Sequence, residues 1–240
     1  VMDDGTTTRI SEHHYHMTTT TAQAANVLSH LEYYLQVVWP DLNVNVVSTT
    51  EQWAGAAIAG PKSRKLLEKL FPNSDVSNEG LPFMGYLEGD LFGVKARIFR
   101  ISFSGELAFE VNVESNFGNY MWEKIIEIGK EFNIQTYGTE ALSTLRIEMG
   151  HVAGSELDGR TIPYDTGLDG LASKKKDFIG KRSLNRKAFI ADDRQRIVGL
   201  VPIDKKTSIP EGSHLVKDSK GKIPIPKLGH VSASCWSVEY

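Results

Sequence analysis

The stretch GYLEGDLFGVKARIFRISFSGELAFEVNV, residues 85–113, constrains the fold of this chain more than any other. Glycine-marked breaks cut it into three strand-length pieces rich in β-branched and aromatic residues. The last piece alternates: Phe109, Val111 and Val113 take one face, and Glu110 and Asn112 take the other. Three successive strands with an apolar face need a cover. NYMWEKIIEIGKEF (119–132) follows at once as an amphipathic helix, and GTEALSTLRIEMG (138–150) is a second. Upstream, AQAANVLSHLEYYLQVVW (22–39) sets Ala25, Leu28, Leu31, Leu35 and Val38 at helical spacing, and Pro40 stops it.

The other segments are shorter. Residues 6–21 are Thr-rich and loosely alternating, and NVNVVSTT (43–50) and QWAGAAIAG (52–60) also read as strands. Pro61 takes a first helical position and opens KSRKLLEKLF (62–71). Residues 151–172 are Gly- and Asp-rich and irregular, the kind of long loop that often carries function. A short helix over 180–189 leads into three strands, RIVGLVPI, SHLVKD and GHVSAS, the start of a small β-barrel or sandwich. The boundary falls in the linker KAFIADDRQ (187–195).

A net charge of −3 argues against a basic nucleic-acid face, and a single cysteine excludes an internal disulfide framework and fits a reducing compartment. No apolar run reaches the roughly 18 residues of a membrane helix, and no secretory signal opens the chain. The chain starts at Val1 and stops in the strand-like HVSASCWSVEY, so an excised piece of a longer polypeptide is expected.

Several motifs invite chemistry. GAAIAGPKS (55–63) nearly spells a phosphate loop, but Pro61 replaces the lysine and removes an N–H the cradle needs. HHYH (13–16) puts His14 and His16 on one strand face with no third ligand nearby, so a polar strand face is expected and no metal. SKKKDFIGKRS (173–183) concentrates five cations, which reads as a solvated face with a possible pull on an anionic ligand tail. Glu110 is a carboxylate in an otherwise apolar strand: either it faces outward by alternation, or it faces a cleft. Asp3 and Asp4, in VMDDG, are either turn chemistry or one acid turned to a pocket.

VMDDG, AGPKS, SFSGELAFEVNV, YGTEALSTLRIEMGH, GSELDGRTIPYDTGLD and KKKDFIGKRSL, in that order, resemble the tetrahydrofolate-binding aminomethyltransferase family. Its best-known member is the T-protein of the glycine cleavage system. DDGTTTRISEHHYHMTTTT, TEQW and SKKKDFIGKRSL are most similar to its sarcosine-oxidising branch, the C-terminal part of a large α subunit in a heterotetrameric oxidase. The resemblance spans essentially all 240 residues. It implies an α+β fold, a cloverleaf of subdomains around a central hole for folate, with a C-terminal small β-barrel, cut short at both ends. Residues 1–190 would form the folate-binding domain without its N-terminal portion, and 191–240 the start of the barrel.

By the same resemblance Asp4 is the catalytic carboxylate beside the reacting folate nitrogens, and Glu110 grips the aminopyrimidinone edge of the pterin. Phe103 stands at an aromatic position that is usually Tyr, and Thr20 where T-proteins carry Asn. Leu142 replaces a folate-binding Arg of T-proteins. The implied function is a cytoplasmic one-carbon transfer domain that turns a sarcosine-derived iminium and tetrahydrofolate into glycine and 5,10-methylenetetrahydrofolate. Flavin (FAD or FMN) and NAD would sit elsewhere in the complex, the partners would be other oxidase subunits, and the piece alone would be inactive. The alternatives are a stand-alone T-protein or related demethylase, and a non-catalytic module that shapes a subunit interface.

Overall fold

The computed structural model describes residues 1–157 and 159–238, and it divides into two compact units. One is Gly5–Leu142; the other joins Val1–Asp4 to Ser143–Tyr240. The class is mixed helix and sheet, in keeping with the α+β fold that the resemblance implies.

In the Gly5–Leu142 unit, β1 (Thr7–Ser11) and β2 (His14–Met17) pair as an antiparallel hairpin. Helix α1 (Ala24–Tyr33) follows, and a π-helical turn over Tyr34–Val38 carries it to Trp39, just short of Pro40. A four-stranded antiparallel sheet comes next, with β3 (Trp53–Ala59), β4 (Tyr86–Leu91), β5 (Val94–Phe99) and β6 (Ala108–Glu114) in the order β3-β6-β5-β4. Two helices, α2 (Ser63–Leu70) and α3 (Gly118–Gly129), cover one face. The alternation of residues 109–113 is realised: Phe109, Val111 and Val113 are fully buried against Leu66, Leu67 and Leu70 of α2 and Met121 and Ile125 of α3. Each such side chain contributes about 1.5–3 kcal/mol of apolar burial, so this layer holds the unit together.

Two expected strands are absent. Residues 43–49 run as coil, and Val44 and Val47 are exposed. Residues 196–203 are coil as well, with Val198, Leu200 and Ile203 exposed. Both runs have the composition of strands, but no neighbouring strand offers a ladder, and an unpaired strand gains little from its propensity. Pro61 also differs from expectation: it lies in the turn before α2, which begins at Ser63. The helix expected over 180–189 is split into α5 (Lys181–Leu184) and a 3₁₀ turn over Lys187–Phe189.

The other unit takes up α4 (Thr139–Met149) at Ser143, followed by 3₁₀ turns through the loop. Its β-structure, among the described residues, is the hairpin of β7 (His214–Val216) and β8 (Lys227–His230); the last two residues of SVEY lie outside them. The loop is held by ion pairs. Arg146 reaches Glu156 at 3.1 Å and donates to the His151 carbonyl at 3.2 Å, while Glu156 accepts from Ala153 N–H at 2.9 Å. Asp165 accepts from Arg194 Nε at 2.8 Å and from a second guanidinium nitrogen, and from Ile162 N–H at 3.0 Å. Asp165 carbonyl in turn accepts from Ile197 N–H at 2.7 Å.

Candidate functional site

The face of the sheet away from α2 and α3 is laid out by register. Ala57, Glu110, Phe99 and Tyr86 form one cross-strand row, and Gly55, Asn112, Arg97 and Glu88 form the next. Glu110 therefore lies between a methyl group and a phenyl ring, neither of which can donate a hydrogen bond. Its carboxylate has no hydrogen-bond partner among the described residues, and burial pushes its pKa up. Alternation alone would send Glu110 to solvent. The structure places it on that polar face but leaves it only half-exposed.

Above the second row sits His16, the last of HHYH. Its ring stacks on Phe99 at 5.8 Å and meets Trp53 edge-on at 6.3 Å. Its Nδ1 lies 3.4 Å from an Arg97 guanidinium nitrogen, and that guanidinium lies 4.0 Å above the Trp53 ring. Burial lowers the His16 pKa, and the Arg97 and His14 charges lower it further. The histidine run is thus spent partly on packing a hairpin to a sheet. Tyr86 donates to Glu88 at 2.6 Å, and burial together with Glu88 raises its hydroxyl pKa.

Phe103 lies in the loop that leads from β5 into β6, partly exposed, seven positions ahead of Glu110 on the chain. Thr20 is the exposed residue just before the 3₁₀ turn Thr21–Gln23, and its carbonyl accepts from Gln23 N–H at 3.1 Å. Gly5 packs against the hairpin so closely that a Cβ would come within 1.9 Å of the Thr18 carbonyl oxygen. Close approach, not turn geometry, is what requires the glycine of VMDDG. Leu142 is partly buried in α4.

Asp4 belongs to the other unit. Burial raises its pKa, adjacent Asp3 raises it further, and a backbone hydrogen bond and His151 partly offset them. The Val1 amino group donates to the Thr161 carbonyl at 2.7 Å, anchoring this segment to the loop. Glu110, Phe103 and Thr20 thus share one unit and Asp4 lies in the second.

AGPKS is the strand-to-helix turn that Pro61 implies. Ser63 donates to the Leu107 carbonyl at 2.8 Å, and Lys62 reaches the Phe132 carbonyl at 3.5 Å. A recess of about 620 Å³ lined by Glu68, Lys69 and Glu127 lies on the helical layer, away from Glu110. Sequence reasoning missed the acids Glu156 and Asp165, which have arginine partners 10 and 29 positions away.

Known proteins share this architecture and sequence. An aminomethyltransferase T of the glycine cleavage system from Bartonella henselae superposes with a TM-score of 0.63 at 20% identity, over 78% of this chain and 49% of that one. The sarcosine oxidase subunit alpha of Rhizobium meliloti is 44% identical over 99% of this chain. An aminomethyltransferase of Chloroherpeton thalassium is 30% identical over 92% of it. The chain spans 24% of the length of the former relative and 59% of the latter. The family model described as the GCVT N-terminal domain matches residues 1–176, and the chain belongs to that family.

Proposed function

We propose that this chain is the tetrahydrofolate-binding one-carbon transfer domain of a sarcosine oxidase α subunit. It would convert the sarcosine-derived iminium and tetrahydrofolate to glycine and 5,10-methylenetetrahydrofolate. The similarity to sarcosine oxidase subunit alpha, at 44% identity against 30% for the aminomethyltransferase, supports the oxidase branch over a stand-alone T-protein. The observation that carries the folate reading is Glu110: a desolvated carboxylate without a partner among the described residues, beside an aromatic ring, on a polar sheet face. Such a group fits a flat heterocycle edge that offers two parallel N–H donors, because a carboxylate accepts both at once.

Bound tetrahydrofolate supplies the two nitrogen nucleophiles that take up the carbon, and its two N–H protons end on the glycine amine. Glu110 would orient the pterin, and fixing two reactants in this way can remove roughly 7–11 kcal/mol of barrier. Phe103 would stack on the ring, and Thr20 would line the same ligand. Asp4, held above the usual carboxylate range by burial and by Asp3, is suited to exchange a proton and to stabilise a developing cation on nitrogen. The cloverleaf with its small C-terminal barrel, divided near residue 190, belongs to this reading. So do the cytoplasmic location, partner subunits, and a flavin and NAD held elsewhere in the complex.

Asp4→Asn in the assembled oxidase tests the catalytic part. The expected result is loss of methylenetetrahydrofolate yield with sarcosine oxidation retained, the carbon leaving as formaldehyde. Full yield in that variant overturns the role of Asp4. A non-catalytic interface module would show no tetrahydrofolate binding at all.

A further inference from the structure

The partner of His16 decides which of its nitrogens carries the proton. A guanidinium offers donors and no acceptor, so the Nδ1 that lies 3.4 Å from Arg97 is the accepting atom. An imidazole that accepts through Nδ1 is neutral and holds its proton on Nε2. The guanidinium is itself held in place, 4.0 Å above the Trp53 ring. Burial and the Arg97 charge both lower the His16 pKa, in agreement with this assignment.

The same ring reaches the row that holds Glu110. It stacks on Phe99 at 5.8 Å with 23° between the planes, and Tyr86 packs on Phe99 at 5.2 Å. Phe99 and Glu110 are opposed across the β5–β6 ladder, so their Cβ atoms are about 4.5–5.5 Å apart. Phe99 belongs to the sheet face away from α2 and α3, yet it is only 3% exposed. The rings of His16 and Tyr86 account for that burial. His16 therefore joins the β1–β2 hairpin, the Arg97 cation and the aromatic neighbour of Glu110.

We propose that His16 is a positioning residue for Glu110, acting through Phe99: its neutral ring pins the hairpin to the sheet and keeps water from the Phe99 side of the carboxylate. Protonation undoes both, because it removes the acceptor at Nδ1 and sets a second cation against the guanidinium. The docked ring has a lowered pKa and an undocked one the ordinary value of about 6.5, so protons favour undocking. Docking therefore weakens as pH falls from about 6.5 toward the lower, docked value. The charged and titratable groups on this face are Arg97 on β5, Tyr86 and Glu88 on β4, and Glu110 and Glu114 on β6, with His14 on the histidine's own strand. Opposite His16 on β1 is Thr8, and the β3 residue against it is Trp53, neither of which titrates. That Glu110 receives a pterin rests on the proposed function; the link between His16 and Glu110 does not.

The test is NMR of this chain without ligand. Histidine nitrogen-15 shifts are expected to place the neutral-pH proton of His16 on Nε2, and the NOE contacts between His16 and Phe99 to disappear as the ring titrates. A proton on Nδ1, or contacts that survive full protonation, overturns the proposal. His16→Phe keeps a ring on Phe99 without a titrating group, so its contact should persist at the acid end, where the native one is lost. Loss in both proteins counts against the proposal. The carbon-13 midpoint of the Glu110 carboxyl reads the positioning itself. It should lie lower, nearer the ordinary glutamate range, in His16→Ala than in His16→Phe, because water reaches the Phe99 side only in the former. Equal midpoints in the two folded variants overturn the role; should His16→Ala fail to fold, the His16→Phe contact decides alone. Tetrahydrofolate affinity is read in parallel at about pH 8, above these titrations. His16→Ala is expected to weaken it about tenfold, the upper range for one lost aromatic pair, and His16→Phe to recover most of that. Absence of binding by the unsubstituted protein sinks the folate reading, whereas the ligand-free NMR still decides the role of His16.

Discussion

The two units of this chain are held together by different physics. Gly5–Leu142 carries a continuous apolar layer between a four-stranded sheet and two helices, and its polar groups sit on the uncovered face. The unit that contains Ser143–Tyr240 has few buried apolar side chains, Val152, Leu157 and Ile162 among them, and ties an irregular loop with two arginine–carboxylate pairs. In the first, packing provides stability and leaves a carboxylate available for binding. In the second, carboxylates are consumed in holding the loop. An acid on this chain is therefore informative only together with its partners: Glu110 has none among the described residues, while Glu156 and Asp165 are each paired with an arginine and a backbone N–H.

Substitutions that remove each kind of support should separate the two. Phe109→Ala deletes a fully buried ring from the apolar layer and should cost about 3–5 kcal/mol, read by urea unfolding, with the sheet amides losing protection from exchange. A loss under about 1 kcal/mol would show that the layer is not what holds that unit. Asp165→Ala leaves the Arg194 guanidinium without its carboxylate. About 3 kcal/mol is expected, with the loss of amide protection confined to the loop around Ile162 and Ile197.

A subtler difference is in the response to pH. Burial raises the Asp165 carboxyl, but Arg194 and the Ile162 N–H outweigh it, so its folded pKa lies below its unfolded value. Its contribution is present above the unfolded pKa and is lost as pH falls through the folded one. Glu110 has the opposite sign: its folded pKa is raised, so its ionised form strains the fold, and that strain is relieved as pH falls from neutrality through the folded value. Asp165→Asn should therefore flatten the acid loss of stability, and Glu110→Gln should flatten an acid gain. Parallel pH profiles for the two variants would contradict the contrast.

Much of this was legible in the residues, and what was not has physical causes. Period-2 alternation marked residues 109–113 and so the core face, because burial of one side of a strand leaves no freedom of register. The same rule misled at 43–50 and 196–203, where strand-forming composition met no partner strand. Which side chains close the loop could not be read, since Asp165 and Arg194 are 29 positions apart and nothing local links them. HHYH looked like a surface face. It is half that: His16 packs between Phe99 and Trp53, contacts made by strands far along the chain.

The central claim is that the unpartnered carboxylate of Glu110 anchors tetrahydrofolate. Isothermal titration of tetrahydrofolate into the protein and into Glu110→Gln, which keeps the shape but offers one acceptor oxygen and an unwanted donor, tests it most directly. The account predicts saturable one-to-one binding that weakens at least about a hundredfold in the variant, as expected when a bidentate charge-assisted contact is lost. Equal affinity in the two proteins would contradict it.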